Sequence, residues 1–481
     1  MKIVTQQGQA VSLKRQNNNK STVKMNMQDR AVNYEKKEAL MSDYLNPGDY
    51  VSGSERRFRV LKEIGGGGQG NVYLVTSDGE QFALKWYNRQ ASTTEQYHAI
   101  EGLAMKGAPS ERFIWPMMIV EGESKDNFGY IMPLIDTKKY TKLAHYFSGE
   151  IKVKRMEPII EACIQMASGF YDLHLTGMCY RDISFGNLFV DFSTGDVLIC
   201  DNDNVTFDNL TSSSEIWGTQ GFMAPEVVKG EAPPSSQTDL FSLAVVLFRM
   251  LHLQHPLQGK KEYEIEIADY EALVDLYGHN PIFIYDPIDA TNRPVKGKKD
   301  MAEAYWHHYP TFIKNRFIEA FTIGLHDPNS RVRESIWIQD LLTLKSNLMY
   351  CYHCGSQLFY DRETIHQTVC PSCGKRATLI PPRIKIGSRI LLLNHDTLIT
   401  RGQVESENFM DYETPYLKVE IHPRHPEIWG LKNLSEDVWR YEGKDGQIKE
   451  LTKDGIVPIK DGLEIYMGDK QCAVRAATQI K

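Results

Sequence analysis

Lys85, Asp182, Asn187 and Asp201 are residues whose types and surroundings suit phosphate and metal chemistry. Lys85 interrupts an apolar run, Phe82-Ala-Leu-Lys85-Trp-Tyr87, and an ammonium taken out of water there must face an anion or reach solvent. A nucleotide phosphate is one such partner; a plain lysine on an edge strand is the other reading. Upstream, Val72 closes the run Gly65-Gly-Gly67-Gly-Gln-Gly70-Asn-Val72. Glycines carry no Cβ, so backbone N–H groups can approach phosphate oxygens closely; taken alone, the same run also reads as a flexible turn. Downstream, Tyr180-Arg-Asp182-Ile-Ser184-Phe-Gly-Asn187 is followed by Val197-Leu-Ile-Cys-Asp201-Asn-Asp203. One carboxamide and one carboxylate suit Mg2+ held mainly through substrate phosphates. A further aspartate nearby can accept the proton of an attacking hydroxyl. Gly218-Thr219-Gln-Gly-Phe-Met-Ala224-Pro225-Glu226, then Thr238-Asp239, complete the series. Its order and spacing carry more than any single member.

A second chemistry sits in the cysteines. Of eight, Cys163, Cys179, Cys200 and Cys472 are scattered. The other four form Cys351-Tyr-His-Cys354-Gly and Cys370-Pro-Ser-Cys373-Gly, two knuckles 15 residues apart. Each turn aims two thiolates at one point, with glycine permitting the tight backbone, and four thiolates suit tetrahedral Zn2+ with no open position for catalysis. His353 and His366 read as solvated loop residues. The N-terminus has no apolar signal-peptide core. Paired CxxC motifs in such a chain read as metal sites in a reducing cytoplasm.

The elements that must position these groups follow from composition and periodicity. The 481 residues, 42% apolar and 24% charged, suit a globular protein of about three domains. Lys plus Arg number 55 and Asp plus Glu 62, giving a net charge of −7 that makes a nucleic-acid adaptor unlikely as a class. No apolar run is long enough to span a membrane. Residues 1 to about 45, rich in Gln, Asn, Lys and Ser, read as a disordered tail. Phe58–Val60, Asn71–Val75 and Gln81–Tyr87 read as strands. Helical spacing runs over Glu157–Leu175, Asp239–Leu251 and Phe312–Leu325. Past Leu344 come the cysteine cluster and many short β-type runs. The expected class is α+β.

Residues 51–345 resemble a bacterial, eukaryotic-like (Hanks-type) Ser/Thr protein kinase domain. The resemblance implies a bilobal fold with ATP in the cleft. Gly65, Gly67, Gly70, Val72, Ala83, Lys85, Met132 and Leu134 would line the nucleotide site, with Met132–Ile135 as the hinge between lobes. Glu101 would be the helix-C glutamate paired with Lys85, Glu95 being the competitor. Asp182 would be the catalytic base, and Asn187 and Asp201 the Mg2+ ligands. Asp239 would brace the catalytic loop, and Arg331 would pair with Glu226. Phosphorylation within Thr211–Ser214 would order the activation segment. Three departures stand out: Tyr180 replaces the His of HRD, Ser184 replaces the lysine two residues after the base, and Asn202-Asp203 replace the Phe and Gly of DFG. They sustain a rival reading, a nucleotide-binding pseudokinase scaffold.

Residues 346–380 are expected to form the zinc ribbon. Residues 381–481 resemble the closing strands of a forkhead-associated (FHA) β-sandwich, with Trp429 as a core residue and Asp461-Gly462 as a tight hairpin turn. The phosphate-gripping residues of FHA domains are not recognisable, so this end is expected to dock a protein surface or the kinase itself without requiring phosphothreonine. The composite resembles kinases of stress-response triads, which implies protein substrates, and a phosphatase and a von Willebrand factor A protein as partners.

Overall fold

The computed structural model describes residues 44–122, 125–208, 218–298, 300–443 and 446–480. Residues 1–43 of the expected tail and Thr211–Ser214 lie outside them, whereas Leu45, at the tail's expected end, is buried in the strand-lobe core. The chain opens with β1 (Tyr50–Ser52), β2 (Arg57–Gly66), β3 (Gly70–Ser77) and β4 (Glu80–Tyr87). After helix α1 (Thr94–Lys106) come β5 (Met118–Gly122) and β6 (Lys125–Met132). These strands close in the order β1-β2-β3-β4-β6-β5. The alternating inward residues Val51, Phe58, Val60, Tyr73, Val75, Leu84 and Ile131 fill the interior, as half-buried antiparallel strands require.

A second, helical lobe follows. Helix α2 (Glu157–Leu175) carries apolar residues almost all round and runs through the centre of the main core. The short strands β7 (Leu188–Val190) and β8 (Val197–Ile199) pair beside it. Helix α3 (Ser236–His252) starts at a capping box on Ser235 and Thr238 and is likewise buried along most of its length. The helical run expected over Phe312–Leu325 breaks at Thr322 into Thr311–Phe321 and Ile323–His326. Helix α4 (Glu334–Ser346) packs along α2 and ends the lobe. Mixed strands and helices in two lobes are the α+β, bilobal architecture expected from the sequence. Among the described residues no helix is long and apolar enough to cross a membrane.

Strands β9 (Leu348–Tyr350) and β10 (Gln357–Phe359) pair and carry the four-cysteine module, which has its own small core. Beyond it lies an all-β domain. Strands β11 (Arg383–Ile386), β12 (Arg389–Leu392), β13 (Leu398–Thr400), β14 (Pro415–His422), β15 (His425–Asn433) and β16 (Trp439–Glu442) come first. They are followed by β17 (Ile448–Leu451), β18 (Ile456–Pro458), β19 (Glu464–Met467) and β20 (Lys470–Arg475). The sheets β12-β11-β20-β19-β16-β17 and β13-β14-β15-β18 share one apolar core. The core tryptophan is Trp439, fully buried and stacked at 5.9 Å on Tyr416. Trp429 is only partly buried, its indole N–H donating to Pro426 O at 3.0 Å, which corrects the sequence expectation. Trp429 shares its strand face with the buried Leu431 but stands opposite Ile421 near the hairpin end, so it packs at the margin of the core, whereas Trp439 lies fully buried within it. Asp461-Gly462 is not a hairpin turn either. It joins β18 to β19, which belong to different sheets.

This domain rests on the helical lobe. Arg112 donates to Tyr412 Oη at 2.9 Å and to Glu413 at 2.5 Å. Gln403 donates to Ser346 Oγ at 2.7 Å, and Asn394 to Leu348 O at 2.8 Å. Tyr309 stacks on Phe359 at 5.0 Å, so the cysteine module is seated on the same lobe.

Candidate active site

The sheet register builds the upper half of the site. Val72 stands opposite Lys85, Lys85 opposite Tyr130, and Ala83 opposite Met132. Two neighbouring rows across β3, β4 and β6 therefore hold four of the residues expected at a nucleotide, Val72 and Lys85 in one and Ala83 and Met132 in the other. The glycine hairpin caps it: Gly65 pairs with Val72, and Gly67 N donates to Gly70 O at 2.9 Å. A Cβ on Gly67 would meet nothing within 4 Å. One on Gly70 would lie 2.0 Å from Trp86 O. Gly67 has open space around it, whereas Gly70 is required by packing against β4. Leu134 lies in the exposed link that follows β6.

The lower half comes from two loops. Between α2 and β7, Asp182 Oδ1 accepts the Thr219 hydroxyl at 2.6 Å, and Asn187 Nδ2 donates to Asp182 O at 2.9 Å and Oδ2 at 3.2 Å. Burial pushes the Asp182 carboxyl up to about 6, helped by the nearby Asp201 charge and opposed by the Thr219 hydrogen bond. Asp201 follows β8 in the left-handed region (φ 57°, ψ 44°), as does Arg181 (φ 73°) just before Asp182. Non-glycine residues sit there only when their surroundings hold them. Asp239 does this for the first loop. Its carboxylate accepts from Tyr180 N at 2.5 Å, Arg181 N at 2.9 Å and His174 Nε2 at 3.1 Å. His174 also bonds Glu334, and although burial works against its charge, the two carboxylates raise its pKa to about 10. Arg331 grips Glu226 through two bonds of 2.8 and 2.7 Å, the pairing the resemblance implied.

Lys85 joins the halves. Its Nζ lies 2.5 Å from Asp201 Oδ1 and 2.8 Å from Asp203 Oδ2. Burial opposes the ammonium, but the two carboxylates outweigh it and raise its pKa. Burial also opposes ionisation of Asp201; Lys85 outweighs that and holds the carboxyl below its usual range. For Asp203, burial and the Asp201 charge prevail and push the carboxyl up.

Glu101 does not pair with Lys85. It is exposed and lies 3.4 Å from His98. The inward face of α1 carries Gln96, Ile100 and Leu103. At 100° per residue, position 101 points about 140° away from position 96. Glu95, the competitor, is exposed in the first turn beside its Thr93 cap. The residue of α1 that reaches the site is Gln96, whose Nε2 donates to Tyr87 Oη at 3.1 Å and Asp203 O at 3.3 Å. Sequence reasoning missed both Gln96 and Tyr87; only the helix register would have pointed to the first.

The departures from the kinase pattern have physical accounts. Tyr180 is fully buried and its hydroxyl donates to Cys200 O. Asn202, also fully buried, donates to Ile114 O at 2.8 Å and Ile199 O at 3.0 Å. The buried amide thus satisfies its NH2 with backbone acceptors. Ser184 is buried beneath the loop.

In the cysteine module, the four sulfurs lie within 4.8 Å of one another. Cys351 and Cys373 sulfurs are 3.8 Å apart, and those of Cys354 and Cys370 3.6 Å. A tetrahedron with Zn–S bonds of about 2.3 Å has edges of about 3.8 Å. Gly355 (φ 74°) and Gly374 (φ 68°) turn each knuckle back so that its N–H meets the first cysteine's carbonyl. His353 and His366 are exposed and outside the cluster.

A glycine hairpin over a buried lysine, facing an aspartate–asparagine loop and an aspartate after a short strand, defines a phosphoryl-transfer fold of two lobes. The protein kinase domain family model matches residues 58–306, just over half of the chain, and the chain belongs to that family. It is 27% identical over 221 residues to the serine/threonine-protein kinase pkn2 of Myxococcus xanthus, covering 42% of this chain and 25% of that protein. Over 252 residues it is 25% identical to the DNA damage-responsive serine/threonine-protein kinase RqkA of Deinococcus radiodurans, covering 51% and 34%. Over 236 residues it is 23% identical to the serine/threonine-protein kinase PrkC of Bacillus subtilis, covering 47% and 34%. The chain thus spans about a quarter to a third of the length of these relatives.

Proposed function

We propose that the chain is a Ser/Thr protein kinase, transferring the γ-phosphoryl group of ATP to protein hydroxyls. The observation that carries this reading is the convergence of Lys85, Asp182, Asn187 and Asp201 in one cleft under the glycine hairpin, with Cys200 N bonded to Asn187 O at 2.9 Å locking the two loops together. In this reading Asp182, ionised above about pH 6, accepts the proton of the attacking hydroxyl. Thr219, already hydrogen-bonded to it, marks the place of a hydroxyl beside the base. Lys85 orients the phosphates. Asn187 and Asp201 offer the oxygen ligands that suit Mg2+, which supplies charge neutralisation on the phosphates when bound. Gly65, Gly67, Val72, Ala83, Met132 and Leu134 would frame the nucleotide.

The sulfur spacing supports a structural Zn2+ on Cys351, Cys354, Cys370 and Cys373, making residues 346–380 a zinc ribbon. The two-sheet domain is read as FHA-like, docked on its own kinase lobe through Arg112 and Gln403 and on the cysteine module through Asn394. A cytoplasmic setting suits this cysteine usage. Phosphatase and von Willebrand factor A partners rest on the resemblance alone.

The test is incubation of the chain with labelled ATP and Mg2+, followed by mapping of phosphosites. Transfer to Ser or Thr, lost by about 10²–10⁴-fold in Asp182→Asn, supports the proposal. ATP binding without transfer to any protein selects the pseudokinase.

A further inference from the structure

Lys85 is the one element of the site whose counter-charge does not come from where the family resemblance places it. A buried ammonium needs a carboxylate that is itself fixed, because an unpaired buried charge is strongly unfavourable. Lys85 has two, Asp201 at 2.5 Å and Asp203 at 2.8 Å. Their environments differ. The Asp201 side chain is 38% exposed, in the left-handed region, and facing the cleft. The Asp203 side chain is fully buried, and its Oδ2, the oxygen nearest Lys85, also accepts the Tyr87 hydroxyl at 2.5 Å. Gln96 of α1 bonds both that hydroxyl and the Asp203 carbonyl. The chain Gln96–Tyr87–Asp203–Lys85 therefore runs from helix α1 to the ammonium, with an aspartate where a helix glutamate is expected to make the contact directly.

We propose that Asp203 is the positioning residue for Lys85: it fixes the ammonium in the cleft, replaces a helix-borne glutamate, and leaves Asp201 at liberty to serve as an oxygen ligand. The inference rests on the kinase reading of this site and assigns a task that reading does not. The replacement of a glycine by Asp203 and the outward turn of Glu101 become two sides of one exchange. With the carboxylate moved from α1 to the segment after β8, the inward position of the helix carries a neutral amide. A second carboxylate at position 96 would face Asp203 and repel it.

Two measurements test this on the full chain. The first does not depend on activity. Thermal unfolding of Lys85→Met, Asp203→Asn and the double variant should be non-additive, the double losing less than the sum of the singles. The same cycle with Glu101→Gln in place of Asp203→Asn should be additive. The second is phosphotransfer. Asp203→Asn should lower kcat by about 10²-fold, as misplacement of an aligning group does. Adding Gln96→Glu to Asp203→Asn returns a carboxylate to the network and should restore most of the loss, a rescue that a merely structural role for Asp203 does not predict. Additive unfolding for Lys85 and Asp203, or a kcat lowered by Glu101→Gln and not by Asp203→Asn, overturns the proposal. A wild-type chain that transfers no phosphate refutes the kinase reading instead, and the unfolding cycle still decides the pairing.

Discussion

Asp239→Asn is the substitution whose consequence can be worked most closely from the structure. The Asp239 side chain is 1% exposed and accepts three hydrogen bonds, two from the backbone N–H groups of Tyr180 and Arg181 and one from His174. The amide keeps one oxygen and turns an NH2 toward donors that need an acceptor. Each buried donor left without a partner costs about 1–3 kcal/mol. Removing one partner of a buried charge pair costs about 3–5 kcal/mol. These overlap, so the larger range is the expectation for the whole substitution. At about 2–4 °C per kcal/mol for a lobe of this size, the melting temperature should fall by about 6–20 °C. The sign with pH follows from His174. Its folded pKa, about 10, lies above the ordinary value of 6.5. The stabilisation is therefore fully present below about pH 6.5 and is lost as pH rises through about 10. The gap between wild type and Asp239→Asn should accordingly narrow from pH 7 toward pH 10. The assay is thermal unfolding by circular dichroism across that range, with autophosphorylation at pH 7.5 alongside. Arg181 at φ 73° leans on the same carboxylate, so activity should fall with stability. A melting temperature within about 2 °C of wild type, or a gap independent of pH, would refute the bracing role.

Three further outcomes are expected. The pH profile of phosphotransfer should have an acidic limb near pH 6, where Asp182 titrates, and Asp182→Asn should be inactive at every pH; a limb near 4 would mean that burial does not act as described. Elemental analysis should find one zinc per chain in the wild type and none in Cys370→Ser, whose residues 346–380 should become open to protease, since structural zinc contributes on the order of 10 kcal/mol to such modules; an unchanged zinc content would contradict the four-thiolate site. Gly70→Ala places a Cβ 2.0 Å from Trp86 O and should unfold the strand lobe, whereas Gly67→Ala, with nothing within 4 Å, should leave the melting temperature unchanged and affect nucleotide affinity alone; equal losses of stability in both would refute the packing argument.

The legible part of this protein lay in short-range pattern. Glycine spacing, the apolar frame of Lys85, the Asp182-to-Asn187 interval and the two CxxCG knuckles are each defined within about twenty residues. Local backbone geometry is enough to bring their chemistry together, so residue types and spacing by themselves determined the class of site and the cysteine cluster. Strand alternation and helical periodicity likewise outlined both lobes and located α2 residue for residue. The tertiary structure alone decided which carboxylate meets Lys85. That choice depends on the rotation of α1, where a few residues shift a side chain by more than a right angle, and on the left-handed turn at Asp201 that brings Asp203 beneath β4. It also decided that Trp439 rather than Trp429 fills the β domain, because only the strand pairing shows that Trp429, though on an inward face, stands near the hairpin end at the margin of the core. Contacts such as Arg112 with Glu413, some three hundred residues apart, have no local signature. They exist because packed surfaces meet, and a sequence read one window at a time does not contain that meeting.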